Sequence, residues 1–276
     1  MTPDTPARGQ LDSRREDGVL RLTKRHPTAN DGLDLTLMAA LETAIAEAAT
    51  DASLRAVVVD SAGGFHAGAV LVTELAPDPS SLGPEDFRAL VRRGHALGRA
   101  IAALTIPVIG IARRGALGGG LELLLRSDFL YCTDHARFSY PEVTLGLVAA
   151  WGGTQFTSRL VPMRKAQEML LLGEAIDGRQ AEAWGLVTRS FSDDAALDAH
   201  VAAVLQRLRV CSPASMRWTK RCLQAVWDGG LAHGEQVEEQ AETEAMASGD
   251  FLKALPALAA GQRWDFVAGE AVARKR

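Results

Sequence analysis

Pro107-Val-Ile-Gly-Ile-Ala-Arg-Arg-Gly115-Ala-Leu-Gly118-Gly119-Gly120-Leu121-Glu122 is the stretch that decides the fold. Val108 to Ala112 is a continuous apolar run, as expected of a strand covered on both faces. The glycines from Gly115 to Gly120 turn the chain into a helix running from Leu121 to Arg126. Moving outward, strand and helix keep alternating. Leu54 to Asp60 is another buried strand, residues 84–104 form a long amphipathic helix, and Phe129 to Thr133 is a further strand. Such alternation implies βαβ units and a mostly parallel sheet. Gly18 to Lys24 alternates apolar and polar residues and reads as a half-buried strand, and residues 35–49 read as a helix. Residues 1–17 read as a flexible, solvated tail. From about residue 190 the strand signal stops, and residues 195–209, 213–227 and 231–247 read as helices separated by Ser212-Pro213 and Gly229-Gly230. The expected architecture is an α/β body over 18–195 and a helical region over 196–276. From the residues alone, that region is either a cap or an assembly module.

Composition narrows the function. The chain has 276 residues, a net charge of −4 and only 5% aromatic residues. An acidic, aromatic-poor protein is a poor nucleic-acid binder. Cys132, Cys211 and Cys222 form no C-x-x-C pair, and the six histidines show no H-E-x-x-H spacing, so neither a disulfide framework nor a familiar zinc site is expected. The N-terminus lacks an apolar signal core, and no long apolar run suggests a membrane span. A cytoplasmic protein is expected. The glycine order G-A-L-G-G-G is not the G-x-G-x-x-G of dinucleotide-binding folds, and G-x-x-x-x-G-K-[ST] and G-x-S-x-G are both absent.

A glycine turn entering a helix gathers backbone N–H groups, and the helix adds about half a positive charge there. Such a turn suits an anion or a developing oxyanion, and it is equally the geometry of plain close packing. Glu122 follows among Leu121, Leu123, Leu124 and Leu125. A carboxyl so flanked is desolvated and its pKa raised, unless it sits on a solvated helix face. Glu142, in Phe138-Ser-Tyr-Pro-Glu142-Val-Thr-Leu-Gly-Leu147, comes one strand and one turn later. A βα return can bring it back beside Glu122, and a loop Glu capping a helix is the other reading of this residue alone. Two carboxyls facing one substrate can divide acid and base roles.

The stretch Pro107–Glu122 resembles the enoyl-CoA hydratase/isomerase (crotonase) family. So do Phe65-His-Ala-Gly-Ala69, residues 136–147, Gly152-Gly-Thr-Gln155, Glu168-Met-Leu-Leu-Leu-Gly173, Ala183-Trp-Gly-Leu-Val187 and Ser212-Pro213, in family order. The resemblance implies a ββα-superhelix body, a helical C-terminal region used in trimerisation (a homotrimer or dimer of trimers), and an acyl-CoA thioester substrate. It implies no metal or redox cofactor, coenzyme A being part of the substrate. By motif position, the N–H groups of Ala69 and Gly119 would form the oxyanion hole, Glu122 would activate water, and Glu142 would give a proton to the α-carbon. Lys24, Arg25, His66, Ala67, Gly118, Ala150 and Trp151 are the other positions expected at the CoA or acyl site, His66 without a catalytic role. For Trp151, wall of the acyl pocket and plain packing both stay open. The chain departs from the family pattern at Val70, where an Asp is usual, at Arg113-Arg114 in place of Asn-Gly, and at Ala149-Ala150 in place of Pro-Gly. The expected reaction is hydration of an enoyl-CoA. The alternatives are another crotonase reaction (isomerase, dehydratase or decarboxylase) and a non-catalytic acyl-CoA-binding homologue.

Overall fold

A computed structural model describes residues 8–27, 32–67, 74–75 and 78–273. They fall into two compact units, the first within residues 1–52, 57–104 and 108–198, the second within 53–56, 105–107 and 199–276.

The first unit opens with a hairpin. Strand β1 (Gln10–Glu16) pairs antiparallel with β2 (Val19–Arg25). Asp17 and Gly18, at φ 49° and 76°, make the two-residue turn whose twist suits a hairpin. This corrects the expectation of a tail through residue 17. β1 is mostly exposed, so its sequence carries no apolar alternation, and backbone pairing alone makes it a strand. Helix α1 (Leu35–Thr50) is capped by Asp34, whose Oδ1 accepts the Leu37 N–H at 2.6 Å.

Next the chain deals strands alternately to two sheets. β3 (Ala56–Ser61) is followed by β4 (Phe65–Ala67) and α2 (Pro84–Ala103). β5 (Val108–Ala112) is followed by β6 (Gly115–Gly118) and α3 (Gly119–Leu124). β7 (Phe129–Thr133) is followed by β8 (Arg137–Ser139), a 3-10 turn (Pro141–Leu145) and α4 (Gly153–Leu160). Helix α5 (Met163–Leu172), β9 (Ile176–Asp177), α6 (Gly178–Trp184) and β10 (Arg189–Phe191) complete it, before α7 (Asp194–Leu208). One sheet runs β1-β2-β3-β5-β7-β10 and the other β4-β6-β8-β9. The pairs β3/β5, β5/β7, β7/β10, β4/β6 and β6/β8 are parallel. Each β-β-α repeat thus places one strand in each sheet, which is the expected ββα superhelix. β3 and β5 are buried along their whole length, consistent with the apolar runs Ala56–Val59 and Val108–Ala112.

Arg113 and Arg114, where the family pattern has Asn-Gly, serve as ion-pair anchors. Arg113 grips buried Asp60 with Nε at 3.1 Å and Nη2 at 2.8 Å, and Nη2 also reaches Asp198 at 2.7 Å. Arg114 holds Asp194 at 2.7 Å.

The second unit contains α8 (Pro213–Asp228), α9 (Leu231–Ala247) and α10 (Asp250–Ala259). Ser212 caps α8 and donates to Asp250 Oδ2 at 2.7 Å. A short hairpin, β11 (Arg263–Asp265) with β12 (Glu270–Val272), follows, so the tail is not wholly helical as expected. Leu223, Val226, Trp227, Leu231, Phe251 and Leu252 of its helices are exposed. No helix among the described residues is long and apolar enough to cross a membrane.

Candidate active site

The Gly118–Gly120 turn links β6 to α3, and close approach explains each glycine. Gly118 sits at φ +55°, and a Cβ there would lie 2.5 Å from Glu142 Oε1 and 2.8 Å from the Ala67 carbonyl oxygen. A Cβ on Gly119 would lie 2.8 Å from the Trp151 ring, and one on Gly120 only 2.1 Å from the Phe65 carbonyl oxygen. The turn is therefore pressed against β4 on one side and against Glu142 and Trp151 on the other. Gly119 begins α3, where the helix itself supplies no acceptor for its N–H.

Glu122 lies in the first turn of α3 and is 3% exposed. Its Oε1 accepts two backbone N–H groups from the segment entering α4, Trp151 at 2.7 Å and Gly153 at 2.6 Å. Burial pushes its pKa up to about 7, and the nearby charge of Glu142 adds to the rise. The two N–H donors and the Arg126 guanidinium act in the opposite direction. Glu142 stands in the 3-10 turn, and burial raises its carboxyl above the ordinary range as well. Its Oε2 is buried with no hydrogen-bond partner among the described residues. Unpaired buried oxygens are costly, which suits a carboxyl waiting for a proton or a ligand.

Both carboxyls line one cavity of about 220 Å³. Ala67, Gly119, Ala150 and Trp151 line it with them. The rest of its lining is apolar: Phe87, Leu90 and Val91 from α2, with Leu147 and Val148 after the 3-10 turn. Behind it, Arg126 Nη2 donates to the Trp151 carbonyl at 2.9 Å, and its guanidinium stacks 3.9 Å from the Phe156 ring centroid.

Of the residues expected from sequence, Glu122, Glu142, Ala67, Gly118, Gly119, Ala150 and Trp151 come together here. Trp151 both packs and lines the cavity, which resolves the two readings of it. Ala69, with neighbouring Gly68 and Val70, lies outside the described residues. Lys24 is a correction. Its side chain is fully buried, with Nζ 5.4 Å from the Phe65 ring centroid, so it does not face a phosphate in solvent. Arg25 is exposed and lines a separate surface pocket with Arg8 and His26. His66 does not line the cavity, and its carbonyl accepts the Leu33 N–H at 2.7 Å. Sequence reasoning missed Phe87, Leu90 and Val91, although their i, i+3, i+4 spacing marks one helix face. It also missed Arg126, which no motif flags.

Residues 14–263 match the family described as enoyl-CoA hydratase/isomerase. The chain is 30% identical over 252 residues to the 2,3-dehydroadipyl-CoA hydratase of Escherichia coli, covering 91% of this chain and 96% of that one. It is 29% identical to a probable mitochondrial enoyl-CoA hydratase 2 of Arabidopsis thaliana, covering 88% and 80%. Among solved structures, Pseudomonas aeruginosa AtuE superposes with a TM-score of 0.82 at 28% identity, covering 90% and 96%. The enoyl-CoA hydratase of Mycobacterium smegmatis does so with 0.83 at 26%, covering 91% and 96%.

Proposed function

The chain belongs to the enoyl-CoA hydratase/isomerase family, and from that premise we propose that it hydrates an enoyl-CoA across the α,β double bond. In this reading Glu122 is the base. It takes a proton from water as the oxygen bonds to the β-carbon. The double-bond electrons move toward the thioester carbonyl, and Glu142 delivers a proton to the α-carbon. The net change is the addition of one water, with no electrons gained or lost, so the reaction calls for no redox cofactor. The N–H groups of Gly119 and Ala69 would hold the developing oxyanion, where fixed donors are worth most in a dry site.

The supporting observation is the contrast between a buried Glu122 and a half-buried Glu142 on one cavity. Glu122 accepts two N–H groups, which favour its ionised form, while the unpartnered Oε2 of Glu142 favours a protonated one. The apolar wall from α2 suits an apolar acyl chain. The test is hydration of crotonyl-CoA and longer enoyl-CoA thioesters by Glu122→Gln and Glu142→Gln. Each substitution is expected to lower kcat by about 10²–10⁴-fold. Near wild-type rates in both would overturn the reading. Product mass separates hydration from isomerisation or decarboxylation, because only hydration adds a water. Tight CoA binding without turnover of any thioester would instead mark a non-catalytic homologue.

We also propose assembly through the helical second unit as a homotrimer or a dimer of trimers. The exposed apolar side chains of α8, α9 and α10 support it. Light scattering after size exclusion is expected to show a multiple of three chains, and a monomer would refute it.

A further inference from the structure

Arg126 stands four residues after Glu122, just beyond α3. Its Nη2 holds the Trp151 carbonyl, and the N–H of the same Trp151 holds Glu122 Oε1. Trp151 is therefore gripped at both ends, by the two ends of one short stretch of chain. Three glycines make room for the arrangement. A Cβ on Gly94 of α2 would lie 2.2 Å from the Trp151 ring, and one on Gly98, a turn later, 3.2 Å from Arg126 Nε. Gly152, at φ +122°, would bring its Cβ within 2.4 Å of Arg126 Nη2. The buried Nε has no hydrogen-bond partner among the described residues. An arginine buried with a bare Nε is an expensive way to fasten one carbonyl.

We propose that Arg126 is a positioning residue for Glu122, holding the Trp151–Gly153 segment against the carboxylate and supplying the positive charge that faces it among the described residues. The inference rests on the reading of Glu122 as the base. Glu122 is otherwise faced by Glu142 from the 3-10 turn and by the Tyr140 hydroxyl, which is bonded to Thr157. Arg126 in turn feels Arg99 of α2. The guanidinium thus offsets burial and the Glu142 charge, and it keeps the carboxylate available near neutrality.

The experiment compares Arg126→Gln, which keeps a donor without charge, Arg126→Lys, which keeps charge without the fork, and Arg126→Met. The pH profile of kcat/KM for crotonyl-CoA and the melting temperature are measured for each. The Glu122 carboxyl is titrated by carbon NMR in a Glu142→Gln background of the full chain, a readout needing no turnover. Arg126→Gln and Arg126→Met are expected to raise the acidic limb and the NMR titration by about half to one pH unit. At pH 6.5 that is a roughly threefold to tenfold lower kcat/KM, with KM little changed. Arg126→Lys restores the limb. If Arg126→Met fails to fold, the Gln and Lys variants decide. Unmoved titrations in the uncharged variants, or a limb that Lys does not restore, would overturn the proposal. A wild-type chain that hydrates nothing would overturn the reading of the base, while the NMR titration still decides Arg126.

Discussion

Glu122→Gln is expected to stabilise the folded protein while disabling it. The unfolded chain ionises this glutamate at its ordinary 4.5 and the folded chain at about 7. As pH rises, the unfolded state therefore releases its proton first and is favoured. The folded state keeps its full share of stability below about pH 4.5 and loses it as pH climbs through 7. One pKa unit corresponds to about 1.4 kcal/mol, so between pH 5 and pH 8 the wild type loses about 2–3 kcal/mol through this residue. A neutral amide has no such dependence. The stability difference between Glu122→Gln and wild type should thus grow by about 2–3 kcal/mol over that range. Glu142 is present in both chains, so its own titration largely cancels. Urea unfolding at pH 5, 6, 7 and 8 measures it. A difference that is flat with pH, or that shrinks as pH rises, would refute the assignment of a buried, high-pKa carboxyl at Glu122. Loss of activity alongside gained stability is the usual mark of a functional group held in an unfavourable place.

Four further outcomes are expected. The acidic limb of kcat/KM falls near pH 7, where Glu122 titrates, and a limb near pH 4.5 would remove Glu122 as the base. Gly118→Ala, placing a Cβ at φ +55° against Glu142 and Ala67, costs roughly 1–2 kcal/mol in stability and more than tenfold in kcat. Leu90→Trp narrows the apolar wall and shifts preference toward the shortest enoyl-CoA by about tenfold or more, read from kcat/KM across a chain-length series. Arg113→Met leaves Asp60, 4% exposed, with the Ser61 N–H at 2.8 Å and Arg21 at 3.5 Å, and costs about 2–4 kcal/mol in urea unfolding at pH 7.

The parts of the fold that could be read in advance are those where burial writes itself into the sequence. β5 is buried along its whole length and wholly apolar, and β3 is buried with an apolar run from Ala56 to Val59. β1 is the opposite case. Gln-Leu-Asp-Ser-Arg-Arg-Glu is held by backbone pairing with β2, which leaves no side-chain signal. α10 is hidden in the sequence because Pro256 lies inside it, and proline ordinarily argues against a helix interior. For Lys24 the register carries the signal and the charge does not. Along β2, Leu20, Leu22 and Lys24 share one face by the period-two rule, and all three are buried. The charge suggested solvent, and the register decided otherwise. In the site, the acids and the glycine turn were legible as motifs because chemistry and close approach admit few alternatives there. The wall from α2 was not, because any apolar residue of suitable size can build it.

The departures from the family pattern sharpen this distinction between reacting and supporting groups. Arg113-Arg114 and Ala149-Ala150 change residues around the site, yet the donors on Glu122 come from Trp151 and Gly153, and the turn at Gly118–Gly120 is intact. Ala149 is buried, its methyl 2.9 Å from where a Cβ on Gly153 would stand, so its change is absorbed by packing beside the donor rather than at it. Arg113 exchanges a turn residue for an anchor on Asp60. Arg126 belongs with these supporting residues, but it differs in one respect: its charge reaches the carboxylate. Backbone donors can tolerate many side-chain changes because every residue except proline supplies an N–H. A single guanidinium facing a buried acid cannot be replaced by packing, so pH dependence should be far more sensitive to Arg126 than to Arg113 or Ala149.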